Sequence, residues 1–313
     1  MRWVVDGVLA AVVVVLLLPV MLVPRRAAGW IGRRYGDLGW MFYGLGRRTG
    51  IINLRRAYGL SMTPTRARHM TRGVFESLAQ AIAEGLWCLR PSGAAAFANS
   101  GCVTEEHPDL AHRAVTDPRP KILVTAHLGS WDLMVLWGRL AHGRGAVVQR
   151  ALDNRVLQAM LEWARSPLGD TINKRGAAGE CLARLRQGQS VALIADENAG
   201  RRGCFVPFFG RAASAHRTPA LLALQTGSPI VMAVLVRRPH GQFLCRSAWF
   251  EPSEPGWTVD TLTAAMAAQL EAWVRDDPDQ WRWIHWRWKS RPDGTEERYD
   301  RAAVQSCFKE QTS

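Results

Sequence analysis

The chain has 313 residues, of which 40 are lysine or arginine and 27 are aspartate or glutamate, so its formal net charge at neutral pH is +13. Hydrophobic residues make up 48% of the chain, which excludes a globally disordered protein and is enough for a sizeable core. Tryptophan occurs 14 times. A basic, tryptophan-rich chain points to an anionic partner, and nucleic acid, a phospholipid surface and an acidic carrier protein all qualify.

The six cysteines are scattered and form no CxxC pair, and the eight histidines form no HExxH motif. This spacing matches neither a zinc framework nor a disulfide scaffold. We therefore expect reduced thiols in a domain that faces the cytosol, and we expect no metal site.

Residues 7–23 carry no charged side chain. As a helix they span about 26 Å at ~1.5 Å per residue, close to the ~30 Å hydrocarbon core of a bilayer. A cleaved signal peptide is the alternative, but the stretch is long for one, and more arginines follow it than precede it. We predict a membrane anchor over residues 1–24, a juxtamembrane segment over 25–60 and a cytoplasmic domain over 61–313.

The cytoplasmic part begins with a helix signal: Thr63 is a predicted N-cap and Pro64 a first helical residue, and apolar residues then recur every four positions through residue 89. Residues 91–119 have no clear period. From residue 121, strand and helix patterns alternate, with a loop after 195. Predicted strands cover 122–126, 146–149, 190–195, 229–236 and 242–250, and predicted helices cover 129–141, 153–166, 176–187, 217–226 and 258–275. The alternation predicts an α/β fold with a largely parallel sheet flanked by helices.

The segment HLGSWD, from His127 to Asp132, directly follows the first predicted strand of this sheet. Ligands of α/β sheets bind beyond the carboxyl ends of the strands. An Asp132 carboxylate one turn into the next helix would hold one nitrogen of the His127 ring, and the other nitrogen would then accept a proton from an alcohol. A His-x4-Asp pair also occurs by chance, so the pair alone does not establish catalysis.

Further segments carry a family resemblance. They are NLRRAYG from Asn53, VTAHLGSWD from Val124, VVQRALDN from Val147, the stretch KRGAAGECLARLRQGQSVALIADENAGRRG from Lys174, CFVPFFGR from Cys204, TPALLALQTGSPIV from Thr218 and PDQWRWIHWRWKSRP from Pro278. In this order, over residues 1–292, the chain resembles the bacterial lipid A biosynthesis acyltransferases of the lysophospholipid acyltransferase superfamily.

The resemblance implies a membrane-bound O-acyltransferase at the bacterial inner membrane, with its catalytic domain in the cytoplasm. It would transfer a fatty acyl group from an acyl thioester, on acyl carrier protein or coenzyme A, to a hydroxyl of an anionic glycolipid, and it would need no cofactor. His127 would be the general base and Asp132 would orient it. Many members have Glu in place of Asp132, and related enzymes that acylate phosphatidylinositol mannosides have Asp, so the acceptor stays open.

Other residues are implied substrate contacts. Arg165 matches an arginine that the family places at the active site, and guanidinium groups suit phosphate contacts. Asp196 and Glu197 lie at a strand end, where either could anchor an arginine or contact the acceptor; the alternative for both is a solvated loop. The predicted substrate-binding residues are Arg150, Arg165, Asp196, Glu197, Arg201, Arg202 and Arg211. The alternative for each arginine is an ordinary surface charge.

Aromatic and apolar residues have two further predicted roles. Trp131, Leu133 and Phe208 are candidate walls of an acyl groove, or simply core residues. The run WRWIHWRWK over 281–289 alternates aromatic and basic residues. Such a run suits a buried edge, base stacking or a membrane interface, and the predicted anchor favours an interface or a glycolipid-facing role. We expect some of these tryptophans to belong to the core.

Two rival functions remain. One is a glycerophospholipid acyltransferase or thioesterase of the same superfamily, which the sequence DENAG over 196–200 disfavours because the F-P-E-G-T motif of the glycerophosphate branch is absent. The other is a non-enzymatic basic protein that binds membranes or nucleic acid. The chain contains no recognised nucleic-acid module, so we expect no nucleic-acid partner.

Overall fold

A computed structural model describes residues 2–90, 92–142, 145–149, 151–165, 170–174 and 176–309. The helices in these ranges are α1 (Arg2–Leu22), α2 (Arg25–Phe42), α3 (Gly44–Tyr58), α4 (Pro64–Cys88), α5 (Gly93–Ala98), α6 (Pro108–Thr116), α7 (Trp131–His142), α8 (Arg155–Arg165), α9 (Ala177–Arg186), α10 (Thr218–Thr226), α11 (Val259–Asp276) and α12 (Arg301–Lys309). The strands are β1 (Val103–Glu105), β2 (Ile122–Thr125), β3 (Ala146–Gln149), β4 (Asp170–Asn173), β5 (Val191–Ile194), β6 (Cys204–Phe208), β7 (Arg211–Ala215), β8 (Ile230–Arg238) and β9 (Gln242–Phe250).

Seven strands form one sheet in the order β1-β9-β8-β2-β5-β3-β4. Only the β8–β9 pair is antiparallel among the described pairs of this sheet, and β6 and β7 form a separate antiparallel hairpin. The predicted α/β fold with a largely parallel sheet flanked by helices is therefore confirmed. The short strands β1 and β4 and the β6–β7 hairpin were not predicted, because three to five residues carry little periodicity.

The two faces of the central strands differ in burial. Ile122, Val124, Val191 and Leu193 are buried in a core shared with Leu185 of α9 and Leu222 of α10. The alternate residues Leu123, Ala192 and Ile194 point to the opposite face and are only half-buried. A parallel sheet is normally covered on both faces, so the half-buried face marks a space between the sheet and its covering helices.

The glycine-rich segment 25–60 folds into α2 and α3, and both helices pack against α4. A Cβ at Gly32 would lie 2.7 Å from the Cβ of Ala83, and one at Gly36 would lie 2.5 Å from the Cα of Glu76. Both glycines are required because any side chain at these positions would separate the two helices.

The N-terminal stretch forms α1, which contacts α2, α4 and α8. No helix within the described residues is long and apolar enough to cross a membrane, so the predicted transmembrane helix is not supported.

The tryptophan run lies mostly inside the protein. Trp281, Trp283 and Trp288 are buried, with exposures of 2%, 0% and 1%, and Trp286 is partly exposed. The buried side-chain amide of Asn53 in α3 donates to the carbonyls of Trp283, at 2.7 Å, and His285, at 2.6 Å. The expectation that some tryptophans of this run belong to the core is therefore confirmed for these three, which form part of the main hydrophobic core. The membrane-facing role predicted for the run does not apply to them.

Replacing Asn53 with alanine should lower the free energy of unfolding by about 3 kcal/mol, because two carbonyls and the Tyr299 hydroxyl, which donates to Asn53 Oδ1, lose their buried partner. Urea unfolding measures this loss. The matched control is Asn99→Ala at an exposed position, which should change the free energy by less than ~0.5 kcal/mol. Equal losses of unfolding free energy in the two variants would contradict a stabilising role for the hydrogen bonds of Asn53.

Candidate active site

His127 lies two residues beyond the end of β2, at the carboxyl edge of the sheet. Its loop is held from two sides: the amide of Gly129 donates to the Gln280 carbonyl at 3.0 Å, and the amide of Ser130 donates to the Leu235 carbonyl at 2.8 Å. Gly129 has a φ of +68°, and a Cβ there would overlap the carbonyl oxygen of Leu235. Glycine at this position lets the loop pass close to β8.

The carboxylate that holds His127 is that of Asp196. Its Oδ1 lies 2.8 Å from His127 Nδ1, and its Oδ2 accepts from the His127 amide at 2.9 Å. The Trp281 indole also donates to Oδ2, at 2.9 Å. Asp196 was predicted as a substrate contact and Asp132 as the orienting carboxylate, and the structure gives the Nδ1 contact to Asp196.

Strand order explains why Asp196 meets His127. In the sheet β2 and β5 are neighbours, with Thr125 paired to Ile194. His127 and Asp196 each lie two residues past that pair, so the two side chains leave the sheet edge side by side. His127 and Asp196 are 69 residues apart in the sequence, and no local sequence pattern indicates that their strands are adjacent.

Asp196 is buried, and its electrostatics follow from its partners. Burial alone would raise the pKa of its carboxyl, but attraction to His127 and the hydrogen bonds from His127 outweigh burial, and Arg282 adds to them, so the pKa is lowered well below the usual range. A carboxylate beside Nδ1 favours the tautomer that carries its proton there. Nε2 is then the acceptor, and no other described residue forms a hydrogen bond with it.

Asp132 lies in the first turn of α7 and lines the same cavity as His127. It packs against Gly85 of α4, where a Cβ would lie 2.7 Å from the Asp132 Cβ and 3.0 Å from its Oδ2. Glycine at position 85 therefore leaves the room that the Asp132 side chain occupies. Its catalytic role stays a prediction.

A second polar group stands at the cavity mouth around Glu197. Its carboxylate accepts from Arg282 at 2.5 Å and pairs with Lys174 at 3.4 Å, and all three residues line the cavity. Burial opposes ionisation of Glu197, but the charge of Arg282 outweighs burial and lowers its pKa. His285 beside it accepts from the Asn198 amide, and burial lowers its pKa, which keeps the ring neutral at pH 7. The sequence did not predict Lys174 and Arg282 as site residues. Arg282 lies in the tryptophan run, which the sequence analysis singled out for a different reason.

The other predicted arginines lie elsewhere. Arg201 and Arg202 are on an exposed turn before β6, and Arg211 at the start of β7 pairs with Glu297 at 3.1 Å. None of these three is among the described residues that line the cavity. Arg150 lies outside the described residues, as does the side chain of Arg165 at the end of α8. A substrate contact by these five arginines stays a prediction.

The cavity has a volume of about 940 Å³, and His127 and Glu197 line its end at the carboxyl edge of the sheet, which we call its mouth. Its lining includes the half-buried sheet residues described above, together with residues of α4 and α7. Trp131 is in the wall at the mouth, whereas Leu133 and Phe208, also predicted as wall residues, are buried in hydrophobic cores. A mostly apolar space of this size fits a small-molecule site.

The fold and this geometry define an α/β protein in which a carboxylate-oriented histidine stands at the mouth of an apolar cavity. The chain belongs to the bacterial lipid A biosynthesis acyltransferase family, whose sequence profile matches residues 4–290. The family predicted from the motifs is thereby confirmed.

Three curated relatives show how far the similarity extends. The chain is 29% identical over 158 residues to a lipid A biosynthesis lauroyltransferase of Escherichia coli (strain K12), covering 50% of this chain and 52% of the relative. It is 24% identical over 200 residues to a phosphatidylinositol mannoside acyltransferase of Mycolicibacterium smegmatis, covering 58% and 61%. It is 30% identical over 132 residues to a lipid A biosynthesis palmitoleoyltransferase of Escherichia coli (strain K12), covering 41% of each. The chain thus spans about half the length of the curated relatives it matches.

The ionised, buried Asp196 makes stability depend on pH. Because folding lowers its pKa, its contribution is present above the unfolded value of about 4 and is lost as pH falls toward the folded value. The stability difference between the wild type and Asp196→Asn should therefore shrink below about pH 4. Urea unfolding between neutral pH and about pH 3 measures it, with exposed Asp109→Asn as the control that keeps the buried carboxylate. A constant difference would contradict the assignment.

Proposed function

We propose that this chain is an O-acyltransferase that transfers a fatty acyl group from an acyl thioester to a hydroxyl group of a glycolipid. The His127–Asp196 pair at the mouth of an apolar cavity is the observation that carries the proposal. Family membership supports the reaction class, since the relatives are named as acyltransferases.

In the proposed reaction the acceptor hydroxyl gives its proton to His127 Nε2 while its oxygen attacks the thioester carbonyl carbon. The C–S bond of the resulting tetrahedral intermediate then breaks. The leaving thiolate takes the proton from the imidazolium, so the products are an ester and a thiol. Asp196 stays ionised throughout and stabilises the imidazolium through Nδ1.

The acceptor we propose is an anionic glycolipid, a lipid A precursor. The names of the lipid A relatives favour it, and Lys174 and Arg282 at the cavity mouth suit a negatively charged headgroup. A phosphatidylinositol mannoside is the alternative acceptor, because a relative with that activity matches a longer part of the chain. The proposed donor is acyl carrier protein or coenzyme A carrying the acyl chain, with no cofactor.

We propose that this reaction takes place at the cytoplasmic face of a bacterial inner membrane. Exposed apolar side chains on α1, and Trp163 on the contacting helix α8, support a bilayer as partner. The exposed large apolar side chains among the described residues of α1 are Val8, Leu9, Val12, Val14, Val15, Leu16, Leu18 and Leu22.

Replacing His127 with alanine should lower kcat by about 10²–10⁴-fold, the usual contribution of a general base. Asp196→Asn should also lower kcat, because an asparagine no longer stabilises the imidazolium. Release of free thiol from acyl carrier protein and coenzyme A thioesters, measured with a lipid A precursor as acceptor, follows the reaction. His112→Ala, at an exposed position on α6, is the matched control and should keep full activity. Full activity of the His127 variant would overturn the mechanism.

Deletion of the gene in a bacterium that carries this protein should remove one secondary acyl chain from lipid A. Mass spectrometry of the extracted lipids measures this loss, and expression of the wild-type chain, but not of His127→Ala, should restore it. Unchanged lipid A together with a lost acyl chain on another glycolipid would overturn the proposed acceptor and select the alternative.

A further inference from the structure

One glycine of α7 has no packing reason to be a glycine. Gly138 is buried in the interior of the helix, yet among the described residues the nearest atoms to a Cβ there would be the Leu123 Cδ1 at 3.9 Å and the Met134 Cε at 4.0 Å, which is ordinary van der Waals contact. Gly85 differs, because a Cβ there would press on Asp132. Glycine is, after proline, the residue least favourable to a helix interior. Glycine at position 138 therefore makes the helix less stable than an alanine would, and it leaves space on the cavity side of the helix.

That space belongs to the cavity that opens beside His127. Helix α7 begins at Trp131 at the mouth, and Gly138 lies about 10 Å further along it, at ~1.5 Å per residue. Leu123 lies beneath Gly138 and is in register with Ala192, which pairs in turn with Val147 on the far side of β5. The cavity thus extends over three neighbouring strands of the sheet.

The depth of the cavity fits a long hydrocarbon chain. Its lining includes Glu197 just past the carboxyl end of β5 and Ser190 just before the amino end of this strand. Six residues of extended chain separate Ser190 from Asp196, which is about 20 Å at ~3.3 Å per residue. An acyl chain whose carbonyl lies at His127 would therefore run along the sheet and pass under Gly138.

We propose that the residue at position 138 sets the length of the acyl chain that this protein accepts, and that the absence of a side chain there makes room for the distal methylenes of a long chain. The inference rests on the proposed acyl transfer and adds the determinant of its donor specificity.

A leucine at position 138 would fill this space with four carbon atoms. Each methylene excluded from an apolar site weakens binding by about fourfold, the equivalent of ~0.8 kcal/mol. Gly138→Leu should therefore weaken binding of hexadecanoyl-coenzyme A at least tenfold relative to octanoyl-coenzyme A. Gly138→Ala should shift the same ratio in the same direction by a smaller factor.

Dissociation constants of octanoyl-, dodecanoyl- and hexadecanoyl-coenzyme A, measured by calorimetry on the full chain, test this, and competition between the three thioesters in the transfer assay gives a second readout. Gly179→Leu is the matched control, since Gly179 is an exposed glycine of α9 with nothing within 4 Å of its Cβ position. The control should keep the wild-type preference. If the leucine variant does not fold, the alanine variant decides.

The outcomes separate this inference from the function on which it rests. A wild type that binds and transfers acyl chains, with the same chain-length preference in both Gly138 variants, would overturn the role of position 138 alone. A wild type that neither binds nor transfers any of the thioesters, on coenzyme A or on carrier protein, would overturn the proposed function. A preference shifted toward shorter chains in the Gly138 variants and unchanged in Gly179→Leu supports both.

Discussion

The burial of the Asp196 carboxylate is the constraint on which the site depends. A buried carboxylate is costly unless hydrogen bonds and a nearby positive charge compensate it. Here the donors come from two distant parts of the chain, the amide and ring of His127 after β2 and the indole of Trp281 before the C-terminal segment. The hydrogen bonds that compensate this one charge therefore fix the relative positions of two strand ends and of the tryptophan run, and they also fix the direction of the His127 ring.

The tryptophan run is itself held by further buried polar contacts. The Arg287 guanidinium donates to the carbonyls of Glu197, at 3.2 Å, and Ser214, at 2.5 Å. Burial lowers the pKa of Arg287 to about 10, so the side chain is still charged at neutral pH. These contacts join the loop after β5 to the β6–β7 hairpin. The hairpin thereby supports the loop that carries Asp196. No described residue of β6 or β7 lines the cavity, although residues that follow β7 do.

The glycines of the helices fall into two groups that differ in the space around a Cβ atom at their positions. Gly32, Gly36 and Gly85 occur where a side chain would collide with a neighbouring helix or with Asp132, so packing explains them. Gly138 occurs where a Cβ would make only ordinary contacts with the described residues, so packing among them does not require a glycine there. Close packing thus positions the polar groups near His127, while the cavity between α7 and the sheet provides the space for the proposed acyl chain.

The sequence by itself determined what depends on near neighbours in the chain. The apolar run that ends before His127, the four-residue spacing in 64–89 and the alternation of strands with helices follow from side-chain period, and they predicted the sheet and the position of His127 at its edge. Tertiary structure alone decided which carboxylate meets His127, because Asp196 reaches it only through the adjacency of β2 and β5. It also placed three tryptophans inside and opened the cavity under Gly138, since burial and empty space depend on how distant segments pack and not on local pattern.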